Sequence, residues 1–177
     1  SKALSRLRRS TMLLRPRVIF LTGCTGWLGA HILANLLITT DNVTVICLVR
    51  SVDEEQAFER VLECLRIHKL LDGVMSALMN GLKMSAEDDT YTELRSRVIV
   101  MCGDLAKPLL GLSGAEFRQV ASEVDSILHC GAAVNLVKPY RALKKPNVMG
   151  TQEILRLAVT NGLVQTKVKP VHYISTN

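Results

Sequence analysis

Gly23, Gly26 and Gly29 follow one another at three-residue intervals, directly after the apolar run Val18-Ile-Phe-Leu-Thr22. An apolar run that feeds a Gly-x-x-Gly-x-x-Gly turn and opens a helical segment has the geometry of a dinucleotide pyrophosphate site. The first glycine permits the tight turn out of the strand, the second lets backbone approach the phosphates, and the third lets the new helix pack close to the sheet. The helix that follows, roughly Trp27 to Ile38 and read as amphipathic, offers free N–H groups and the positive end of its dipole to the anion. Glycines at this spacing also occur in ordinary strand-to-helix turns, so context decides between the two readings. A second β-branched run, Val43 to Val49, ends at Arg50, 21 residues past Gly29. At that strand tip an acidic residue holds a ribose 2′-OH, whereas a cation accommodates a 2′-phosphate. Arg50 therefore favours NADP(H) over NAD(H), although Asp53 and Glu54 leave a solvated loop arginine as the plainer alternative.

These groups need a scaffold, and the chain alternates strand and helix signals. Glu54 to Leu70 carries Ala57, Phe58, Val61, Leu62, Leu65 and Ile67 at helical spacing. The polar stretch from Leu71 to Arg95 reads as an insertion with short helices. Arg97 to Cys102 is a third strand closed by Gly103-Asp104-Leu105. Ser113, with Glu116 three residues on, marks a capping box for a helix running toward Val124. Ser126 to Cys130 is a fourth strand, Pro146 and Asn147 open a helix through Ala158 that stops near Asn161-Gly162, and Val171 to Ser175 is a fifth strand. Such alternation predicts an α/β, Rossmann-type doubly wound parallel sheet of order 3-2-1-4-5, with a ligand across the carboxyl ends at the switch point between strands one and four. Arg50, Asp104, Gly131 to Val134 and Thr176 all fall at carboxyl ends.

Composition bounds the function. The chain has 177 residues, 48% hydrophobic and 21% charged, and a net charge of +6. Lys2, Arg6, Arg8, Arg9, Arg15 and Arg17 lie in a start without acids, and beyond them basic and acidic residues are equal in number, sixteen each. The excess charge is thus local, and with only 4% aromatics there is neither a basic stripe nor a stacking platform for nucleic acid. Residues 1–16 read as a basic linker or first helix, although an acid-free start with Arg and Ser also resembles a transit peptide. No apolar run reaches the roughly 20 residues of a membrane helix. Five cysteines without a C-x-x-C pair indicate a reduced, cytoplasmic setting and no metal site, and the four in or beside predicted strands or the glycine turn, Cys24, Cys47, Cys102 and Cys130, read as small buried hydrophobes. His31, His68, His129 and His172 stand singly and read as core or surface histidines.

Four stretches together resemble the extended short-chain dehydrogenase/reductases, and within them the thioester reductase (R) domains of nonribosomal peptide and polyketide synthetases and of carboxylic acid and aminoadipate reductases. They are Leu21 to Gly29, Cys47-Leu-Val-Arg50, Gly103-Asp-Leu105, and His129-Cys-Gly-Ala-Ala-Val-Asn-Leu-Val137 continuing through Pro139-Tyr140 to Asn147-Val-Met-Gly-Thr151. The similarity covers about residues 17–177, and its last stretch is the most specific. It implies a cofactor site made by Thr22, Gly23, Thr25, Gly26, Trp27, Leu28 and Gly29, with the 2′-phosphate on Arg50 and Arg60. It further implies adenine against Asp104 and Leu105, and Ala132, Ala133 and Val134 along the ribose and nicotinamide path. Asn147 and Thr176 match the family's catalytic Asn and Ser/Thr. Cys24 and Trp27 stand where Ala and Phe are usual, and Cys130 replaces a common Asn.

The resemblance implies NADPH-dependent release of a thioester, as aldehyde or alcohol, from the phosphopantetheine arm of an upstream carrier domain, with no nucleic acid or membrane partner. The family's Tyr-x-x-x-Lys pair follows the fifth strand and is expected beyond Asn177. Residues 17–177 then form an incomplete NADP-binding domain, inactive alone. Tyr140 and Lys144 satisfy Tyr-x-x-x-Lys but precede the fifth strand and read as a decoy. Two rivals remain: a redox-silent relative that releases its chain by Dieckmann-type cyclisation, and a non-catalytic nucleotide-binding module.

Overall fold

The computed structural model describes residues 17–82, 87–160 and 168–175. Five parallel strands form one sheet: β1 (Val18–Thr22), β2 (Thr44–Val49), β3 (Val98–Cys102), β4 (Ser126–His129) and β5 (Val171–Tyr173), in the order 3-2-1-4-5 expected from the alternation. Register is tight at the centre, where Phe20 lies between Ile46 of β2 and Ile127 of β4. The entry of β1 is fixed by Asp125, whose carboxylate accepts the backbone N–H groups of Arg17 and Val18 at 2.8 and 3.0 Å.

Alternating side chains divide the core between the two faces of the sheet. Leu21, Val45, Cys47, Val49, Val98 and Val100 pack on one side with α1 (Trp27–Thr39), α2 (Glu54–Ile67) and α3 (Leu71–Leu82), followed by α4 (Glu87–Arg97). Phe20, Ile46, Leu48 and Ile127 pack on the other with α5 (Gly114–Glu123) and α7 (Gly150–Val159). Ser113 and Glu116 form the expected capping box at α5.

Three expectations are corrected. α1 is not amphipathic: Leu33 and Leu37 face the sheet side, and the outer residues Ile32 and Leu36 are partly buried against the same core as Val74 and Leu78 of α3. The segment read as an insertion is thus a second layer over α1, so both sides of α1 are apolar. The helix expected from Pro146 begins earlier, with α6 (Tyr140–Lys144), and runs through a π-turn (Lys145–Met149) into α7. Strand ends are also shorter than read: Val43, Arg97, Cys130 and Ile174-Ser175 lie outside β2, β3, β4 and β5.

Arg97 instead serves as a buried clasp. Its guanidinium donates to the carbonyls of Leu37 at 3.1 Å, Thr40 at 2.6 Å and Val43 at 3.2 Å, occupying acceptors that the end of α1 leaves unpaired. Lys169 does the same for α7, donating to the Thr160 carbonyl at 2.7 Å.

Candidate cofactor site at the switch point

Where β1 and β4 send their chains to opposite faces, their carboxyl ends border a cavity of about 260 Å³. Nine of the residues that the resemblance assigned to the cofactor line it: Thr22, Gly23, Thr25, Gly26, Arg50, Asp104, Leu105, Ala132 and Ala133. The three glycines have different reasons to be glycine. Gly23 has φ +78°, and a Cβ there would lie 2.7 Å from the Gly131 nitrogen. A Cβ on buried Gly29 would run into the Gly23 carbonyl. Gly26 is exposed, with φ −102°, and its Cβ would meet only the Gly23 oxygen, at 3.3 Å. The chain's own packing demands Gly23 and Gly29, while Gly26 keeps open space beside the cavity.

Gly26 is also the N-cap of α1. No side chain caps that end and no acid stands in its first turn, so its N-terminal amides suit an anionic group. At the tip of β2, exposed Arg50 borders the same cavity, and the Arg60 guanidinium from α2 donates to the Arg50 carbonyl. The cavity is thus bordered by one cation, Arg50, with Arg60 held beside its backbone though outside the lining, and by an uncapped helix start, an arrangement able to take an anionic dinucleotide.

The remaining sequence candidates lie outside the cavity lining. Trp27 is 64% exposed and stacks beside His31, with ring centroids 4.6 Å apart, and His31 in turn lies 5.8 Å from His68. Those two histidines are therefore neighbours rather than single residues. Leu28 and Val134 are exposed, as are Tyr140 and Lys144 on α6, and none of the four lines the cavity. Thr176 lies outside the described residues, as do residues 1–16 and the expected helix stop at Asn161-Gly162.

Asn147 sits in the π-turn. Its Oδ1 accepts the Ala133 N–H at 2.7 Å and its Nδ2 donates to the Ala133 carbonyl at 3.1 Å. Both ends of the carboxamide hold a cavity-lining backbone segment, so its visible role is positioning. Next to it is His129, buried as a core histidine, whose partners the sequence reading did not foresee: it lies between Thr22 and Thr151, with Nδ1 2.7 Å from Thr22 Oγ1 and Nε2 3.1 Å from Thr151 Oγ1. Burial pushes its pKa down to about 4. The signal available in the sequence was a histidine at a strand end two residues before Gly131. Leu48, Gly103, Cys130, Gly131 and Pro146 also line the cavity. On its β3 side, Leu109 and Leu110 adopt left-handed backbone, which aims the Leu110 carbonyl at the Asp104 N–H, 2.7 Å away.

Cys24 and Cys47 are buried, as expected of small hydrophobic thiols, whereas Cys102 and Cys130, expected to be so, are only partly buried at the carboxyl ends of β3 and β4, and Cys64 is buried on α2. A hydrogen bond with Cys24, reinforced by burial, holds the Cys47 thiol well above the usual range. Among the described residues no helix is long and apolar enough to cross a membrane.

Comparison with known proteins agrees with this geometry. A linear gramicidin synthase from Brevibacillus parabrevis is 43% identical over 156 residues, covering 88% of this chain and 3% of that protein. The L-2-aminoadipate reductase large subunit of Penicillium chrysogenum is 36% identical over 154 residues, 86% of this chain and 10% of that protein. Among solved structures, the terminal R domain from the myxalamid PKS-NRPS biosynthetic pathway superposes with a TM-score of 0.72 at 37% identity, over 91% of this chain and 35% of that one. The chain therefore spans a small fraction of these relatives' length. Residues 21–177 match the NAD-binding family model described as Male sterility protein, and the chain belongs to that family, with reductase domains of peptide synthetases among its relatives.

Proposed function

We propose that this chain is the NADPH-binding part of a reductase that releases an acyl or peptidyl thioester from a carrier domain as an aldehyde or alcohol. The observation that carries the reading is the cavity itself: open space at Gly26 over an uncapped helix start, in the same cavity that Arg50 borders at the tip of β2, with Arg60 of α2 bonded to the Arg50 carbonyl. A pyrophosphate fits the first end, and a 2′-phosphate the second. Asp104 and Leu105 wall the adenosine side, and Ala132 and Ala133 line the path toward β5. NADPH, when bound, supplies the hydride that adds to the thioester carbonyl carbon.

The chain's own part is to orient and to hold charge. Asn147 fixes the Ala133 segment against which the reacting end lies, and Thr176 donates a hydrogen bond to the carbonyl oxygen as negative charge develops there. A Tyr-Lys pair of the kind the resemblance implies supplies one proton, which the oxygen takes first and which passes to sulfur as the carbon–sulfur bond breaks, leaving the aldehyde. The thiol stays on the phosphopantetheine arm of the upstream carrier, and a second hydride, from a second NADPH, with a second proton yields the alcohol. The relatives include an aminoadipate reductase and a linear gramicidin synthase, which supports this substrate class. A cytoplasmic location accords with both.

The test is to give the reductase containing this chain a carrier-bound acyl thioester and measure NADPH oxidation together with aldehyde. Equal amounts of each, or two NADPH per alcohol, are expected. Product formed without NADPH oxidation would establish the cyclising alternative instead.

A further inference from the structure

The hydrogen bonds around His129 have a direction. The Thr151 hydroxyl donates to the Asn147 carbonyl at 2.6 Å, so its single hydrogen is spent. Its oxygen, 3.1 Å from His129 Nε2, must therefore accept, which makes Nε2 the protonated nitrogen. In a neutral imidazole Nδ1 is then an acceptor, and the Thr22 hydroxyl, 2.7 Å away, donates to it. Thr22 Oγ1 in turn accepts the Gly131 N–H at 3.0 Å. All five groups are satisfied in one sequence running from Gly131 through Thr22, His129 and Thr151 to Asn147. With His129 1% exposed and no carboxylate among its hydrogen-bond partners, burial favours the neutral ring.

The two ends of this sequence differ in kind. Thr22 and Gly131 line the cavity, whereas Thr151 does not. Thr151 serves the carbonyl of the residue in the π-turn whose side chain grips Ala133. π-Turns are rare and occur mostly as single-turn bulges within α-helices, frequently at functional sites.

We propose that His129 is a positioning residue of the cofactor site: as the tautomer protonated at Nε2, it couples the end of β1 at the cavity to the π-turn that presents Asn147, so that a change at Thr151 is felt as a loss of cofactor affinity. The functional half of this statement rests on the NADPH reading, while the tautomer and the coupling do not.

Two measurements on the reductase domain that contains this chain separate them. In the first, nitrogen-15 NMR of the imidazole reads the tautomer without nucleotide, and hydrogen exchange reads the Gly131 amide in wild type and Thr151→Val. Protonated Nε2, acceptor Nδ1 and faster Gly131 exchange in the variant are expected. A proton on Nδ1, or unchanged Gly131 exchange, overturns the coupling. In the second, NADPH is titrated against wild type, Thr151→Val and Thr151→Ser at temperatures well below each melting midpoint. Thr151→Val should weaken binding about three- to thirtyfold, and Thr151→Ser, which keeps the hydroxyl, should recover most of it. Unchanged affinity in a folded Thr151→Val variant overturns the positioning role. If wild type binds no NADPH, the cofactor reading fails and takes the positioning role with it, while the first measurement still decides the coupling.

Discussion

Asn147 holds Ala133 by both ends of one carboxamide, accepting its N–H at 2.7 Å and donating to its carbonyl at 3.1 Å, across fourteen residues of chain. Replacing it by Ala removes two hydrogen bonds worth about 1 kcal/mol each. Asn147→Asp keeps an acceptor for the N–H but sets a carboxylate against the Ala133 carbonyl. Both variants should bind NADPH less well than wild type, Asn147→Ala by about five- to thirtyfold and Asn147→Asp by at least as much at neutral pH, in calorimetric titrations run on protein whose circular dichroism matches wild type.

The glycine turn makes a split prediction. A Cβ at Gly26 meets only one oxygen, at 3.3 Å, so Gly26→Val should fold and melt within a few degrees of wild type yet bind no nucleotide, because its branched side chain fills the space left for phosphate. Gly29→Ala should instead lower stability by several kcal/mol, since its Cβ collides with the Gly23 carbonyl. Thermal melts and nucleotide titrations of the two variants together check this. A Gly26→Val protein with normal affinity would show the turn to be structural throughout.

Arg97 is a stability prediction. It is 6% exposed, and its guanidinium donates to three backbone carbonyls from Leu37 to Val43, where α1 ends and leads into β2. Arg97→Met keeps the stem but strands those acceptors, and should cost about 2–4 kcal/mol in urea unfolding. Nucleotide affinity of the folded fraction should be unchanged, because Arg97 is remote from the cavity lining.

Burial of His129 sets a pH dependence. Its native pKa is lowered to about 4, against about 6.5 in the unfolded chain, so the unfolded state takes up the proton first as pH falls. The stability linked to this group is complete above about pH 6.5 and is lost progressively between about pH 6.5 and 4, amounting to about 3 kcal/mol. Urea midpoints across that range should fall with acid in wild type and more shallowly in His129→Gln.

The sheet was legible because β1, β2 and β3 are short apolar runs rich in β-branched residues and closed by Gly or Arg, and parallel alternation leaves few topologies. Most of the cavity wall followed from the same rule that ligands lie at carboxyl ends. What local pattern could not supply was contact between distant segments. The amphipathic reading of α1 failed because α3 covers its outer side, a fact held in Val74 and Leu78 rather than in α1. The helix at Pro146 was started too late because a proline marks a first turn as readily as a π-turn. The pairing of His129 with Thr22, over a hundred residues earlier in the chain, has no local signature at all.

The central claim is that the cavity takes a dinucleotide with a 2′-phosphate, and a calorimetric titration of NADPH and NADH against wild type and Arg50→Ala tests it most directly. Wild type should bind NADPH more tightly than NADH, and Arg50→Ala should lose about 1.5–3 kcal/mol, or roughly 10- to 150-fold, for NADPH alone, with NADH affinity nearly unchanged. Equal affinity of wild type for the two cofactors, or an equal loss of both in the variant, would contradict the assignment of Arg50.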